Sequence, residues 1–576
     1  MKKLISFCTI ISIFIPAYLS IAKQDLRRMI PKDSVLLFEL DDIGDFSNEI
    51  EDGPIGEFTK SNAWEKISQW MVDELKKEFS DKSKKDKDLI TDLFSDWSDS
   101  FNGEVLFSLS GIDQLVYKKA PSIMLFMETD LKETDLEETI DSIKKEVISS
   151  GGKFAWSREE ISGINVHLIS SAKENDTQIA LTIFDQTLGV FSGGKELVEE
   201  AFLQRSGNSK ADTILDNDNY LDLFDEIDRG KARLFINFGF LEDFFEDLKT
   251  LPDAQLPENP FGINTNGLIK ALGMDSLECM GLQIDPTGKA FSISSGIYLN
   301  KYDGLFSFIQ SGGGKAITYD FISPESFTAS TGRYDFAKLW PTVEKLVGNL
   351  SPQLLLLMNA QIQAFEDQAG VPFRRDVLGS FGDEMVSFSF LDTDASTLDD
   401  FNNANPTFYA VSLKDSKLFD RSLRSLIDAF SSGNDLFEER VYKGVTMRKI
   451  RGMEQAGISV SYAVTNKWFL VGMGDDTYLN QIINRMDGKG KSLWGNRGVS
   501  SALKSFPDGV RQIDYVNFDQ MMTFFQPIIM NAINDETELN LKSKDFPSLP
   551  YFLLAWSKDV KNGIIGRAEL FPVSSK

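Results

Sequence analysis

Residues 163–202 read GINVHLISSAKENDTQIALTIFDQTLGVFSGGKELVEEAF, with short apolar runs set off by turn residues. Alternation over Ile164–Ile169 predicts a strand, the runs on either side of Asp185-Gln186 predict two more, and Gly193-Gly194 opens a helix. The pattern returns over residues 444–483, GVTMRKIRGMEQAGISVSYAVTNKWFLVGMGDDTYLNQII, with Gly163 over Gly444 and Gly193 over Gly474. A periodic stretch repeated together with its turns implies an internal duplication.

The correspondence extends both ways. Ile30-Pro31-Lys32-Asp33-Ser34 is turn chemistry before the apolar run Val35–Phe38, and Ile322–Ser326 echoes it. Trp64, Ile67, Met71, Leu75 and Phe79 share one helical face, and Trp340 opens the matching helix. Ser100–Glu104 and Ser380–Glu384 each introduce a strand, Pro121 and Pro406 begin the next, and helix Leu136–Ile148 matches Leu418–Phe430. A helix over Tyr220–Ile227 and a strand over Ala232–Phe238 lead to Phe244-Phe245, which Phe524-Phe525 answers. Hairpin Leu277–Leu299, turning at Asp285–Gly288, corresponds to Tyr551–Phe571, turning at Lys561-Asn562-Gly563. The expected fold class is α+β, built as two tandem duplicated halves. Each half, 23–315 and 316–576, is mainly antiparallel sheet with helices packed on one face, and Ser311–Gly314 joins them.

Residues 1–22 stand outside that pattern. Lys2-Lys3, the apolar run Leu4–Ile15 and Ser20-Ile21-Ala22 read as a secretory signal cut after Ala22, an uncleaved anchor being the alternative. No later stretch is long and apolar enough to span a membrane, so no stable span is expected after cleavage. The formal net charge of −27 argues against nucleic acid and anionic lipid as partners. The short mixed-charge run Lys82–Lys87 does not change that, since it reads as a solvated helix end or loop. Cys279 is the one cysteine left after cleavage, so no intramolecular disulfide is expected. The 45 phenylalanines supply ample material for burial instead. Signal, Pro31-x-Asp33-Ser34, Trp-bearing helix, Gly103-Glu104 strand and doubled layout together resemble a family of large secreted bacterial proteins known only as a domain of unknown function. That resemblance implies an envelope or extracellular location and carries no site residues with it.

Chemistry is sparse. The chain has a single histidine, His167, mid-strand in the first copy, with Arg448 at its place in the second. Alternation puts it on the Asn165 side as a half-exposed strand residue. One histidine and one cysteine exclude a histidine–cysteine zinc site, and no G-x-S-x-G elbow accompanies His167. Ser311–Lys315 fails the P-loop pattern, Ser142-x-x-Lys145 lies on a charged helix, and Asp216–Asn219 lacks the later ligands of a calcium loop. Asp216–Asn219 therefore reads as a helix start. Leu354–Met358 suits either a buried helix or the wall of a hydrophobic site. No catalytic, cofactor-binding or metal-binding residue is assigned, and no cofactor is expected. The expectation is a secreted or periplasmic, non-enzymatic protein with a binding or envelope-associated role. A carrier of a hydrophobic ligand such as lipid is one alternative; a carboxylate-based hydrolase is the other.

Overall fold

The computed structural model describes residues 25–70, 100–112, 121–149, 154–171, 178–227, 230–241, 244–246, 260–286, 291–309, 314–391, 405–431, 436–452, 459–474, 477–488, 490–537 and 539–573. The expected signal segment, the run at 82–87 and much of the Trp64 helix and of the junction at 311–314 lie outside them. The fold is α+β, and its strands pair antiparallel. Packing divides the described residues into two compact units. One takes those within Met1–Ile43, Asp88–Asp222 and Leu234–Asn237; the other takes Gly44–Lys87, Leu223–Arg233 and Phe238–Lys576. This division by packing differs from the expected division by repeat near residue 315.

The first unit holds β1 (Leu36–Leu40), β2 (Phe101–Ser110), β3 (Ser122–Thr129), β4 (Phe154–Ile161), β5 (Ile164–Ser171), β6 (Gln178–Phe184), β7 (Thr187–Ser192) and the end of β8 (Ala232–Asn237). They pair in the order β4-β5-β6-β7-β3-β2-β1-β8. The second unit holds β9 (Leu277–Asp285), β10 (Phe291–Leu299), β11 (Thr328–Arg333), β12 (Phe381–Ser389), β13 (Thr407–Leu413) and β14 (Phe437–Tyr442). It continues with β15 (Val445–Ile450), β16 (Val460–Val464), β17 (Trp468–Met473), β18 (Gln512–Val516), β19 (Tyr551–Val560) and β20 (Gly563–Pro572). The ladder there runs β14-β15-β16-β17-β13-β12-β11-β18-β19-β20-β10-β9. Its first eight strands follow one another as the eight strands of the first unit do.

Local chemistry sets the register. Ser162-Gly163 and Lys443-Gly444 turn the β4–β5 and β14–β15 hairpins with positive φ at both residues of each pair (53° and 82°; 51° and 79°). That is the two-residue turn whose twist matches the flanking strands. β2 and β12 each carry a bulge after their first residue. In β2 the freed Glu104 amide donates to Glu128 Oε2 (3.1 Å), and in β12 the Glu384 amide donates to Ser412 Oγ (3.0 Å). Among the described residues β4 and β14 pair on one side only, and each carries three consecutive charged residues, Arg158-Glu159-Glu160 and Glu438-Glu439-Arg440.

Helices lie on both faces of each ladder, which corrects the expected single helical face. In the first unit α1 (Glu133–Ser149) buries Leu136 and Ile140 against Leu188, Leu181, Ile183 and Val190. α2 (Lys195–Arg205) sends Phe202 to the opposite side, edge-on to Phe184 at 5.2 Å and tilted to Phe191 at 6.2 Å. Val190 and Phe191 are sequence neighbours, so their side chains point to opposite faces. Runs such as Thr187–Phe191, apolar on both sides, need a cover on both. In the second unit the longer helices after β8 are α3 (Thr265–Leu272), α4 (Phe336–Leu350), α5 (Pro352–Ala369), α6 (Ser416–Ser431), α7 (Thr477–Met486) and α8 (Phe518–Glu536). Phe419 and Leu426 of α6 cluster with Leu413 and Phe469, while Leu479, Ile482 and Ile483 of α7 cluster with Phe408, Ala410 and Leu470.

Candidate functional site

A half-open cavity of about 440 Å3 lies beside α8 in the second unit. Its walls come from four places: Glu325 in the turn before β11, Phe390 and Leu391 after β12, Tyr478 on α7, and Asp519, Gln520, Thr523, Phe524 and Pro527 on α8. Phe390 and Tyr478 stack at 4.7 Å and 23°, which makes a flat aromatic floor. Asn517 caps α8 by accepting from the Gln520 amide at 3.1 Å, and this fixes the first turn toward the cavity.

The polar groups on these walls are mostly acceptors. Gln520 Oε1 is buried without a hydrogen-bond partner. Pro527 has no N–H to give to the Thr523 carbonyl four residues earlier, so that oxygen lacks its helical donor. Glu325 and Asp519 add carboxylates. From Gln520 to Asn534, α8 bears no charge, and Ile529 on it is 43% exposed. Apolar floor and acceptor walls together suit an amphiphile.

The residues that attracted notice in the sequence fall elsewhere. His167 is 5% exposed rather than half-exposed, because helices cover both faces and Val166, His167 and Leu168 are all buried. Its ring lies beside Glu133 and Glu137 of α1, and Arg158 of β4, its cross-strand neighbour, bonds both glutamates. Arg448 is buried as well, bonded to Glu439 at 2.7 Å and to Asp420 on α6 at 3.3 Å. Cys279 is fully buried, and burial pushes its thiol up to about 12. Thr213 and Asp216 form a capping box, and Asn217 accepts from the Tyr220 amide at 3.1 Å as helix Asp218–Glu226 begins. Leu354–Met358 is helical, in α5, but Leu356 and Leu357 are 72% and 50% exposed, so the fully buried reading is corrected. Ser142 and Lys145 sit on α1.

From the sequence, Phe524 and Glu325 entered only as landmarks of the repeat, and none of the cavity residues stood out as a site residue. A possible signal was the uncharged run Gln520–Asn534 flanked by Asp519 and Asp535. The Glu133-x-x-x-Glu137 spacing was equally visible, but a helix spacing gains meaning only when something faces it.

Fold and cavity define an α+β protein with a mixed apolar and acceptor-lined cavity. No family model and no curated relative matches the sequence. Solved structures of crystal forms III and I of TP0453 are similar at 11% and 10% identity, covering 50% of this chain and 84% of theirs, each with a TM-score of 0.24. At that score the likeness carries no argument. Among the described residues no helix is long and apolar enough to cross a membrane.

Proposed function

We propose that the protein is a non-enzymatic, envelope-associated binding protein that holds a single-chain amphiphile with an uncharged or cationic head in the cavity beside α8. The observation that carries this reading is the stacked Phe390–Tyr478 floor in a cavity whose walls also bring Glu325 and Asp519. Glu325 and Asp519 repel an anionic head and welcome hydroxyl or ammonium donors. The cavity volume falls within the range of about 300–1,000 Å3 usual for small-molecule sites. Export through residues 1–22, and the family resemblance that implies an envelope location, belong to the same proposal. So does the duplication, supported by the common strand succession, the paired bulges and the paired hairpin turns.

Calorimetry and native mass spectrometry with 1-monooleoylglycerol, oleylamine and oleate test the binding. The first two should saturate at one per chain, with oleate at least about tenfold weaker, and Phe524→Ala should weaken all three by a similar factor. Equal affinity for oleate, or indifference to Phe524→Ala, overturns the reading. Two carboxylates lining one cavity favour one other reading, the carboxylate-based hydrolase. Release of glucose from octyl glucoside, abolished by Glu325→Gln, would put it in place of the first.

A further inference from the structure

Glu133 and Glu137 stand one turn apart on α1, so their side chains emerge side by side. His167 reaches them from β5. One ligating atom from each of the three lies within 4.8 Å of the other two. A point central to such a triangle is close enough that modest side-chain movement brings all three to the ~2.0–2.2 Å of metal–ligand bonds. His167 is 5% exposed, and its Nε2 has no hydrogen-bond partner. A buried ring nitrogen without a donor or acceptor is costly unless something fills the place.

We propose that Glu133, Glu137 and His167 form a binding site for one divalent first-row transition ion of the zinc, cobalt or nickel kind. One imidazole with two carboxylates favours such ions over calcium and magnesium, which prefer oxygen alone. Three protein ligands leave room for water at the remaining position.

Arg158 is the resident cation. It bonds Oε1 of both glutamates, yet its side chain is 46% exposed and can swing outward as an ion enters. The second unit shows the alternative arrangement. Arg448 occupies the register place of His167 and meets an acid on its helix, Asp420, and one on the neighbouring strand, Glu439. There the inner strand position supplies the cation itself; at His167 the inner position holds an imidazole, and an entering ion would displace Arg158 from the two glutamates.

The test uses the full chain, stripped with EDTA and titrated with Zn2+ by calorimetry and with Co2+ by visible absorption, in excess Ca2+ and Mg2+ to fill surface carboxylates. One ion per chain is expected. His167→Gln should weaken binding by about 100-fold or more and Glu137→Gln by about tenfold or more, while Arg158→Ala should tighten it by about tenfold. Circular dichroism checks that each variant folds, and the half-exposed Glu137 provides a substitution that leaves the core intact. Absence of stoichiometric binding to the unaltered chain overturns the proposal. So does binding that persists unchanged in folded His167→Gln or Glu137→Gln.

Discussion

At the β14–β15 hairpin the guanidinium of Arg448 is 3% exposed, held between Glu439 and Asp420. At the β4–β5 hairpin the arginine stands on the other strand, and Arg158 meets Glu133 and Glu137 from a position 46% exposed. The cross-strand pairs are Glu439 with Arg448 in one hairpin and Arg158 with His167 in the other. Both junctions tie a helix to a hairpin by charge. Moving the arginine from the inner strand to the edge strand leaves an imidazole in the inner place, and this frees a buried nitrogen. A scaffold position can therefore become a potential site without any change in backbone course.

The largest way to break this comparison is to remove each arginine. Arg448→Ala should cost about 3 kcal/mol in urea unfolding, because its stem and charge are buried. Arg158→Ala should cost less than about 1 kcal/mol, as exposed pairs do. Equal losses would mean that burial is not what separates the junctions. Next, His167→Arg should destabilise by about 2 kcal/mol by facing Arg158 with a second guanidinium. Adding Arg158→Glu recreates the other junction and should recover at least half, as a double-mutant cycle would read.

A smaller effect sharpens what the two hairpins share. Gly163→Ala and Gly444→Ala should each cost about 1 kcal/mol and equally, because both sites have positive φ and open space around the missing side chain. Unequal costs would show that the turns differ in strain despite similar angles. The smallest effect comes from Asp25, whose pair with Arg27 gives a reference outside both junctions. Burial raises the Asp25 carboxyl, but hydrogen bonds and charge from Arg27 outweigh it and hold the pKa below its ordinary value. That stability is present above the ordinary carboxylate pKa and is lost as pH falls through the depressed one. Melting temperatures below pH 4 should fall less steeply in Asp25→Asn, by an amount worth less than about 1 kcal/mol; an unchanged slope would remove Arg27–Asp25 from the account.

Much of the ladder was legible because turn chemistry is local. The runs on either side of Asp185-Gln186 read as strands and are β6 and β7, whereas β4 and β14, which end at the turns Ser162-Gly163 and Lys443-Gly444, went unread. His167 was misplaced because counting alternation assumes one wet face, whereas α1 and α2 cover opposite faces of the strands around it. Leu354–Met358 failed in the other direction: apolar composition predicts burial, yet α5 presents Leu356 and Leu357 to solvent. The cavity was illegible for a different reason. Glu325 and Phe524 are nearly 200 residues apart, and only the folded chain makes them neighbours. The Glu133–Glu137–His167 cluster is the intermediate case, half written in a helical spacing and half supplied by strand pairing.

The last row of amides and carbonyls in an antiparallel ladder is a template for whatever strand drifts by. Among the described residues β4 and β14 occupy that row in their units, and both carry three adjacent charges where a newcomer would lie. A second molecule docking edge to edge would bring its own acids onto these, or have to shed their water. Arg158 and Glu439 thus act at two scales, as partners within a junction and as colloidal guards against fibre growth.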